Sequence, residues 1–569
     1  MNEDQKRADL VTKHKATLEQ AVDAVKTRKS WSPYKDSPST KFHGLEKPKA
    51  GKAAFEVRLN QPFLIDLPGI NNWSGEEVSP FTQEPLNITY PLCDPECIID
   101  AAKASMVDWA KTAPDLRIAL CIEMADRLYD INFEMAHSIM HVAGQSYTQA
   151  FSGSGPNALD RGIEALAYSA IAMSNVAPKA EYHRNFGADQ VALEKTYTLV
   201  PRGVGLVICC ASFPTWNAYP AMFASLAAGN PVVVKPHPSA ILPMAIVVET
   251  ARATLVEFGF DPNLVTLAAD TLAEPVSGKY VEHPAVQIID FTGSPRYGSH
   301  LESTVTGKLL YTETAGVNSV VVESVDSLAE SARAIARASS LFSAQMCTSP
   351  QVVYVPKDGI NTADGHVSFD DVASAIVSEI DAIAVNPVVA AGIMGAVQGQ
   401  VSLDVVAEAE AMAAHEGLPV LRHATPYDHP DFPNARTRSL LVISVKPEHK
   451  EMYAEERFGP VLFIVAAESG DVAADEATEL ARTRGTISCY MYSTDEAFID
   501  RWVDVYAQVG ANLTINLTGA MWINFAAAYS DYHVTGLNPA GNACLADLSF
   551  VASRFRIAQR RRPIIENVA

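Results

Sequence analysis

The chain has 569 residues, 48% hydrophobic and 19% charged, a globular balance that excludes collagen-like, coiled-coil and disordered classes. At roughly 150 residues per domain, that is chain enough for three or four domains. Its 44 Lys+Arg against 66 Asp+Glu leave a formal charge of 44 − 66 = −22, the wrong sign for nonspecific nucleic-acid binding, which needs a basic surface.

The opening MNEDQKRADLVTKHK lacks the apolar core of a signal peptide. Eight cysteines are too sparse for a disulfide framework, so a cytoplasmic protein with free thiols and no membrane or nucleic-acid partner is expected. Residues 1–60 are polar, and a helix near 5–27 followed by an extended arm is predicted there. From Asp100 to about Met173 apolar residues recur at helical spacing, and QVALEKTYTLV (190–200) alternates like a strand. Gly203 to Val234 carries no charge over 32 residues, long enough to span a bilayer, but Pro214, Pro220 and Pro231 interrupt it. A buried strand–turn–helix–strand unit fits better: VGLVICC as strand, 217–228 as a helix ending at Gly229, PVVVKP as strand. PMAIVVETARATLVEFG reads as an amphipathic helix, with NLVTLAA and VQIIDFTGS as the next strands. Strand and helix alternate again from 319 to 356, and around 461–466, 487–492 and 511–525.

Five places carry candidate chemistry. Thr292-Gly293-Ser294, with Gly298 further on, follows an apolar strand and opens a helix, where backbone amides can approach an anion; a purely structural turn fits the same residues. Lys235 ends the PVVVK strand, within reach of a ribose hydroxyl or phosphate, or simply solvated. Cys347, in AQMCTSP, is either buried packing or a nucleophile needing a base or a lowered pKa. Glu313, in YTETAGVN, has uncharged flanks and suits water activation from a low-dielectric pocket. Glu456 and Phe458 lie in EERFGPVLF before another strand. Other features read as bland. Cys209-Cys210 pack in a strand, and Cys93-x-x-x-Cys97 lacks a second pair, so no metal is expected. His237, His283 and His533 stand isolated and read as surface or satisfied core residues, and Arg560-Arg561-Arg562 as a solvated edge.

The order and spacing of PRGVGLVI, SFP, AAGNPVVVKP, FTGS, TETAG, AQMC and FGPV resemble the aldehyde dehydrogenase superfamily over roughly residues 85–562. The family's glutamate precedes its cysteine by 34 residues, and 347 − 313 = 34; its lysine follows the oxyanion position by 23, and 235 − 212 = 23. The resemblance implies Cys347 as the nucleophile forming a thiohemiacetal, Glu313 as the base that hydrolyses the thioester, and Ser212 at the oxyanion position. It further implies that Lys235, Gly293, Ser294 and Gly298 bind a dinucleotide, with Glu456 and Phe458 holding its nicotinamide ribose and ring. Retention of Glu313 points to hydrolysis rather than transfer to coenzyme A, because acyl-transferring relatives often lack that base.

There are departures from the family pattern. Ser212 replaces the oxyanion asparagine, with Asn217 as a substitute or a helix-start residue. Pro238 replaces the acidic residue that grips the adenosine ribose, so nothing there repels a 2′-phosphate, and NADP stands ahead of NAD. Ala344 replaces a glycine and Val317 a lysine.

The N-terminal arm, with ICCASFPTWNAYP, VVVKPHPSA and YTETAGVNSVV, resembles the phenylacetate-degradation branch, which handles semialdehydes from ring opening, often attached to coenzyme A. The dehydrogenase pattern runs to the C-terminus, so the hydratase-like domain of fused branch members has no place here. The implied fold is α/β: two doubly wound α/β domains plus a β-arm oligomerisation flap. The expected divisions are an N-terminal extension 1–60, a dinucleotide-binding domain 61–185 and 202–316, an arm 186–201 and 552–563, and a catalytic domain 317–551. A homodimer or homotetramer is expected, because the arm cannot bury its faces alone. The rival readings are a CoA-acylating or broad-range aldehyde dehydrogenase and, prompted by Ser212, an inert member that binds cofactor or acyl-CoA.

Overall fold

A computed structural model describes residues 2–187 and 189–564. Five parallel strands form one sheet in the order Val265–Leu267, Val232–Lys235, Val204–Ile208, Val286–Thr292, Leu309–Glu313. Val204–Ile208 and Val232–Lys235 are buried throughout, as a strand covered on both faces must be, which explains their charge-poor sequence. The chain order reverses beside Val204–Ile208, so a crevice opens at the carboxyl ends of that strand and of Val286–Thr292.

A second sheet of seven strands runs Val420–Arg422, Leu441–Val445, Val461–Ala467, Pro350–Pro356, Asn318–Val322, Ser488–Tyr492, Asn512–Ile515, with only the first antiparallel to its neighbour. A third sheet pairs Phe555–Pro563 with Asp189–Pro201 and the latter with Lys179–Phe186. This arm begins at Lys179 rather than near 186, and Phe555 is the only buried residue of its last strand. Its root is fixed by Arg554, fully buried, which donates to both oxygens of Asp290 at 2.6 and 2.8 Å and to Ser225 Oγ at 2.7 Å.

The N-terminal segment differs from its sequence reading. The helix Glu3–Thr27 is present, but the expected extended arm contains a further helix, Glu46–Arg58. That helix has little apolar periodicity of its own and is held by Arg58, which bridges Glu134 at 2.6 Å and Glu249 at 2.9 Å. Helix Leu242–Glu257 packs against Pro114–Asp130, Asn132–Ala143 and strand Val265–Leu267, so its first turns are buried all round rather than amphipathic, while Lys6 and Arg7 of the N-terminal helix reach the carbonyls at its far end. The charge-free stretch from Gly203 is the buried strand, helix Ala218–Ala227 and strand of the first sheet. Among the described residues no single helix is long and apolar enough to cross a membrane.

Candidate active site

Cys347 is presented by the second sheet on the loop that enters strand Pro350–Pro356. Three successive residues before it, Phe342, Ser343 and Ala344, have φ of 53°, 48° and 55°, the left-handed region that side chains disfavour. The loop is over-determined by polar tethers. Ser343 Oγ donates to the carbonyls of Met394 and Arg438, and Gln345 Nε2 donates to those of Phe342 and Ala396. Asn318 is the hub. Its Nδ2 donates to the Cys347 carbonyl at 2.8 Å and the Ser349 carbonyl at 3.0 Å, while its Oδ1 accepts from the amides of Ile487 and Ser488.

Glu313 comes from the other sheet, at the carboxyl end of Leu309–Glu313, and is 1% exposed. The Thr314 amide donates to the Ala540 carbonyl at 2.8 Å, which fixes that strand end. Between sulfur and carboxylate lies His533, 4% exposed, its Nε2 at 2.9 Å from Glu313 Oε1 and 3.9 Å from Cys347 Sγ. The isolated histidine of the sequence reading is thus part of the site. It stands 220 residues from Glu313 and 186 from Cys347, so no local spacing could reveal it.

Burial, the carboxylate of Glu313, the thiol of Cys210 and the carboxylate of Glu456 all push the Cys347 thiol well above its ordinary pKa, while its own amide favours the thiolate. Glu456 is half-buried; burial raises it to about 8, and it makes no hydrogen bond or ion pair among the described residues. Phe458 follows on the same half-buried loop, which Gln351 ties down by donating to the Glu455 carbonyl at 2.8 Å.

Ser212 and Asn217 stand on the loop and helix start that follow strand Val204–Ile208. The Ser212 carbonyl accepts from Gln145 Nε2 at 2.7 Å, its hydroxyl faces Cys210, and among the described residues no hydrogen bond joins it to Cys347. Asn217 stands at the start of helix Ala218–Ala227 without capping it, because Nδ2 donates to Thr292 Oγ1 at 3.1 Å.

The remaining candidates surround the crevice of the first sheet. Ser294 caps helix Pro295–Thr304 and is exposed. A Cβ at Gly293 would come 2.7 Å from the Phe291 ring, so the turn requires glycine for space. A Cβ at Gly298 would meet Thr314 Cγ2 at 2.4 Å, so this glycine lets the helix pack against the segment that follows Glu313. Lys235 is 3% exposed and donates to Asp270 Oδ1 at 2.6 Å and the Pro236 carbonyl at 2.7 Å, leaving one of its three protons free. A cavity of about 450 Å³ lined by Asn72, Asp94, Asp270, Glu274 and Lys279 adjoins this pair. The glycine-lined turn, the helix N-terminus and the spare lysine proton are donors of the kind a dinucleotide's phosphates and ribose would meet, and the desolvated Glu456 is an acceptor without a partner among the described residues.

Beyond His533 the loop is braced by Arg161, 4% exposed, whose Nη1 donates to Glu164 Oε2 at 2.8 Å and the Asp531 carbonyl at 2.9 Å. Its Nε and Nη2 are buried without partners among the described residues, and its guanidinium lies 5.7 Å from the ring of Trp216, which itself abuts His533.

A model of the family described as aldehyde dehydrogenase matches residues 73–525. The chain is 42% identical to a crystal structure described as an NAD-dependent aldehyde dehydrogenase from Burkholderia multivorans, with a TM-score of 0.94 over 98% of this chain and 99% of that one. It is 25% identical to the 1-pyrroline-5-carboxylate dehydrogenase of Bacillus pumilus over 483 residues, 80% of this chain and 87% of that relative. A mutant 1-pyrroline-5-carboxylate dehydrogenase from Thermus thermophilus shares the fold at 19% identity, with a TM-score of 0.73 over 94% of this chain and all of that one.

Proposed function

The chain belongs to the aldehyde dehydrogenase family, and on that premise we propose that it oxidises a semialdehyde to a free carboxylate with NAD. The carrying observation is that sulfur and carboxylate, delivered by different sheets, meet around one imidazole. Cys347 Sγ attacks the aldehyde carbon, giving a thiohemiacetal and then a thioester on the same sulfur. Lys235, Gly293, Ser294, Glu456 and Phe458 would hold NAD, which when bound would supply the hydride acceptor for the oxidation. Glu313 takes a proton from the water that attacks the thioester, and the carboxylate leaves.

NAD is favoured over the NADP that Pro238 admitted. Asp270 already neutralises Lys235, and Asp94 and Glu274 line the adjoining cavity, so a 2′-phosphate gains no free cation there beyond Lys279. The Burkholderia multivorans relative is likewise described as NAD-dependent.

The semialdehyde class rests on Arg161. Arg28 and Arg161 share the single carboxylate of Glu164, and two guanidinium nitrogens remain unpaired in the interior, a receptor for a second anionic group on the substrate. Semialdehydes from opening of an activated aromatic ring in phenylacetate degradation, free or as coenzyme A thioesters, meet that requirement. The resemblance of the branch segments favours them over 1-pyrroline-5-carboxylate, to whose enzymes the identity is 25%. The exposed arm is the surface for a second copy, as a dimer or a pair of dimers.

Reduced-cofactor absorbance with succinate semialdehyde and with butanal tests the reading. Turnover with NAD, independent of coenzyme A and abolished in Cys347→Ala, is expected. The charged aldehyde should lead by about tenfold or more in kcat/KM, the worth of one charge-assisted hydrogen bond, and Arg161→Met should erase that lead. A requirement for coenzyme A overturns the hydrolytic role of Glu313, and equal rates on both aldehydes overturn the semialdehyde class.

A further inference from the structure

Neither the sulfur nor the carboxylate explains why an imidazole is buried between them. Buried polar atoms ordinarily find a hydrogen-bond partner, yet among the described residues His533 Nδ1 is buried with none. All of its polar contact is through Nε2, to Glu313 Oε1 at 2.9 Å and Cys347 Sγ at 3.9 Å. Two groups that carry negative charge in the reaction face that nitrogen and none faces Nδ1, which places the ring proton on Nε2.

The ring is also held still. Asn512 Nδ2 donates to the His533 carbonyl, Trp216 lies edge-on at 5.7 Å, and Arg161 grips the Asp531 carbonyl. The N-terminal segment adds Arg28, which donates to the Tyr529 carbonyl at 3.2 Å and stacks 3.9 Å over Tyr532, and Trp31 against the Tyr529 ring. The titratable groups facing the imidazole are Glu313 and Cys347, with Cys210 and Glu456 beyond the sulfur; Trp216 and Asn512 bring no charge. Among the described residues no Lys or Arg pairs with Glu313.

We propose that His533 is a positioning residue whose Nε2–H pins Glu313 Oε1, leaves Oε2 as the base, and favours the Cys347 thiolate across the remaining gap. Glu313 Oε2 is buried and has no partner among the described residues, as the oxygen awaiting a proton should be. In the first step the Sγ–H bond breaks and the proton passes through a water to form an O–H bond at Oε2, while His533 keeps its proton; Oε2 returns that proton to solvent before the hydrolytic water attacks. The sulfur lone pair forms the C–S bond, and the carbonyl π pair moves onto oxygen. The proposal rests on the role given above to Glu313.

Alkylation of Cys347 by iodoacetamide in the full chain, read from the Cys347 peptide by mass spectrometry between pH 5.5 and 9.5, is the test. His533→Leu should slow alkylation at pH 7 about tenfold and move the profile up about one unit. His533→Gln, which keeps an amide N–H at similar reach, should recover most of that loss. Hydrolysis of the acyl-enzyme formed from p-nitrophenyl acetate should follow the same order. A Leu profile that superimposes on the parent, or equal shifts in Leu and Gln, overturns the proposal. The alkylation needs neither aldehyde nor cofactor, so a failed turnover assay beside an intact His533-dependent profile refutes only the function proposed above.

Discussion

The two sheets deliver their candidate site residues in different ways. The five-stranded sheet places Lys235, Gly293-Ser294 and Glu313 at or just past the carboxyl ends of parallel strands, where topology alone brings them to one crevice. The seven-stranded sheet presents Cys347 ahead of a strand, on a turn with three left-handed residues held by side chains from distant segments. Position on the first flank follows from backbone pairing, whereas position on the second is imposed by buried polar tethers. Mutation should therefore separate them: damage to the first flank should appear as lost stability, and damage to the second as a misplaced sulfur.

The largest effect belongs to the first flank. Arg554→Leu leaves the Asp290 carboxylate buried without its bidentate partner in strand Val286–Thr292. Removing one member of such a pair costs about 3–5 kcal/mol. Urea denaturation should show that loss, while Cys347 alkylation of the folded fraction stays as in the parent. An alkylation rate that falls in step with stability breaks the separation.

A smaller loss of stability and a larger loss of activity are expected from Asn318→Ala. The change strips the Cys347 and Ser349 carbonyls of a donor and the Ile487 and Ser488 amides of an acceptor. Each buried group left unsatisfied costs about 1–3 kcal/mol, partly relieved where water enters. Denaturation should register about 2–3 kcal/mol, near one such group after that relief. A sulfur displaced by about 1 Å should lose about a hundredfold in kcat. Asn318→Asp, which keeps the acceptor and loses the donors, should fall between; equal activity in all three proteins breaks the tether account.

How far each flank was legible follows the same division. The apolar strands, Lys235 and the glycine turn declare themselves in consecutive residues, and the family spacing picked out Glu313 and Cys347. His533 and Asn318 were passed over, since each acts on residues at least 29 positions away and neither sits in a periodic pattern. The helix Glu46–Arg58 was missed for a related reason, being held by single residues, Phe55 on His141, Gly51 against Phe133 and Arg58 on Glu134 and Glu249, rather than by an apolar stripe. Ser212 was placed at the oxyanion position by its 23-residue spacing from Lys235, and spacing does not show where a hydroxyl points. Arg161 carried no signal because its unpaired nitrogens exist only in the folded chain.

The finest distinction concerns Ala344, which stands where family members carry glycine and has φ of 55°. A left-handed alanine costs about 1–2 kcal/mol, and glycine returns part of that as lost chain entropy, about 0.5–1 kcal/mol. Ala344→Gly should therefore raise stability by about 0.5–1 kcal/mol. On the tethered flank, Ser343 and Gln345 keep the turn in place on either side, so the relief should reach stability without moving the sulfur. Unchanged alkylation with a higher denaturation midpoint would show that polar tethers, not the alanine, set the geometry. A faster-reacting or slower-reacting sulfur would show instead that the strained backbone is itself part of how Cys347 is aimed, and the contrast between the two flanks would then lie in stored strain rather than in side-chain tethers.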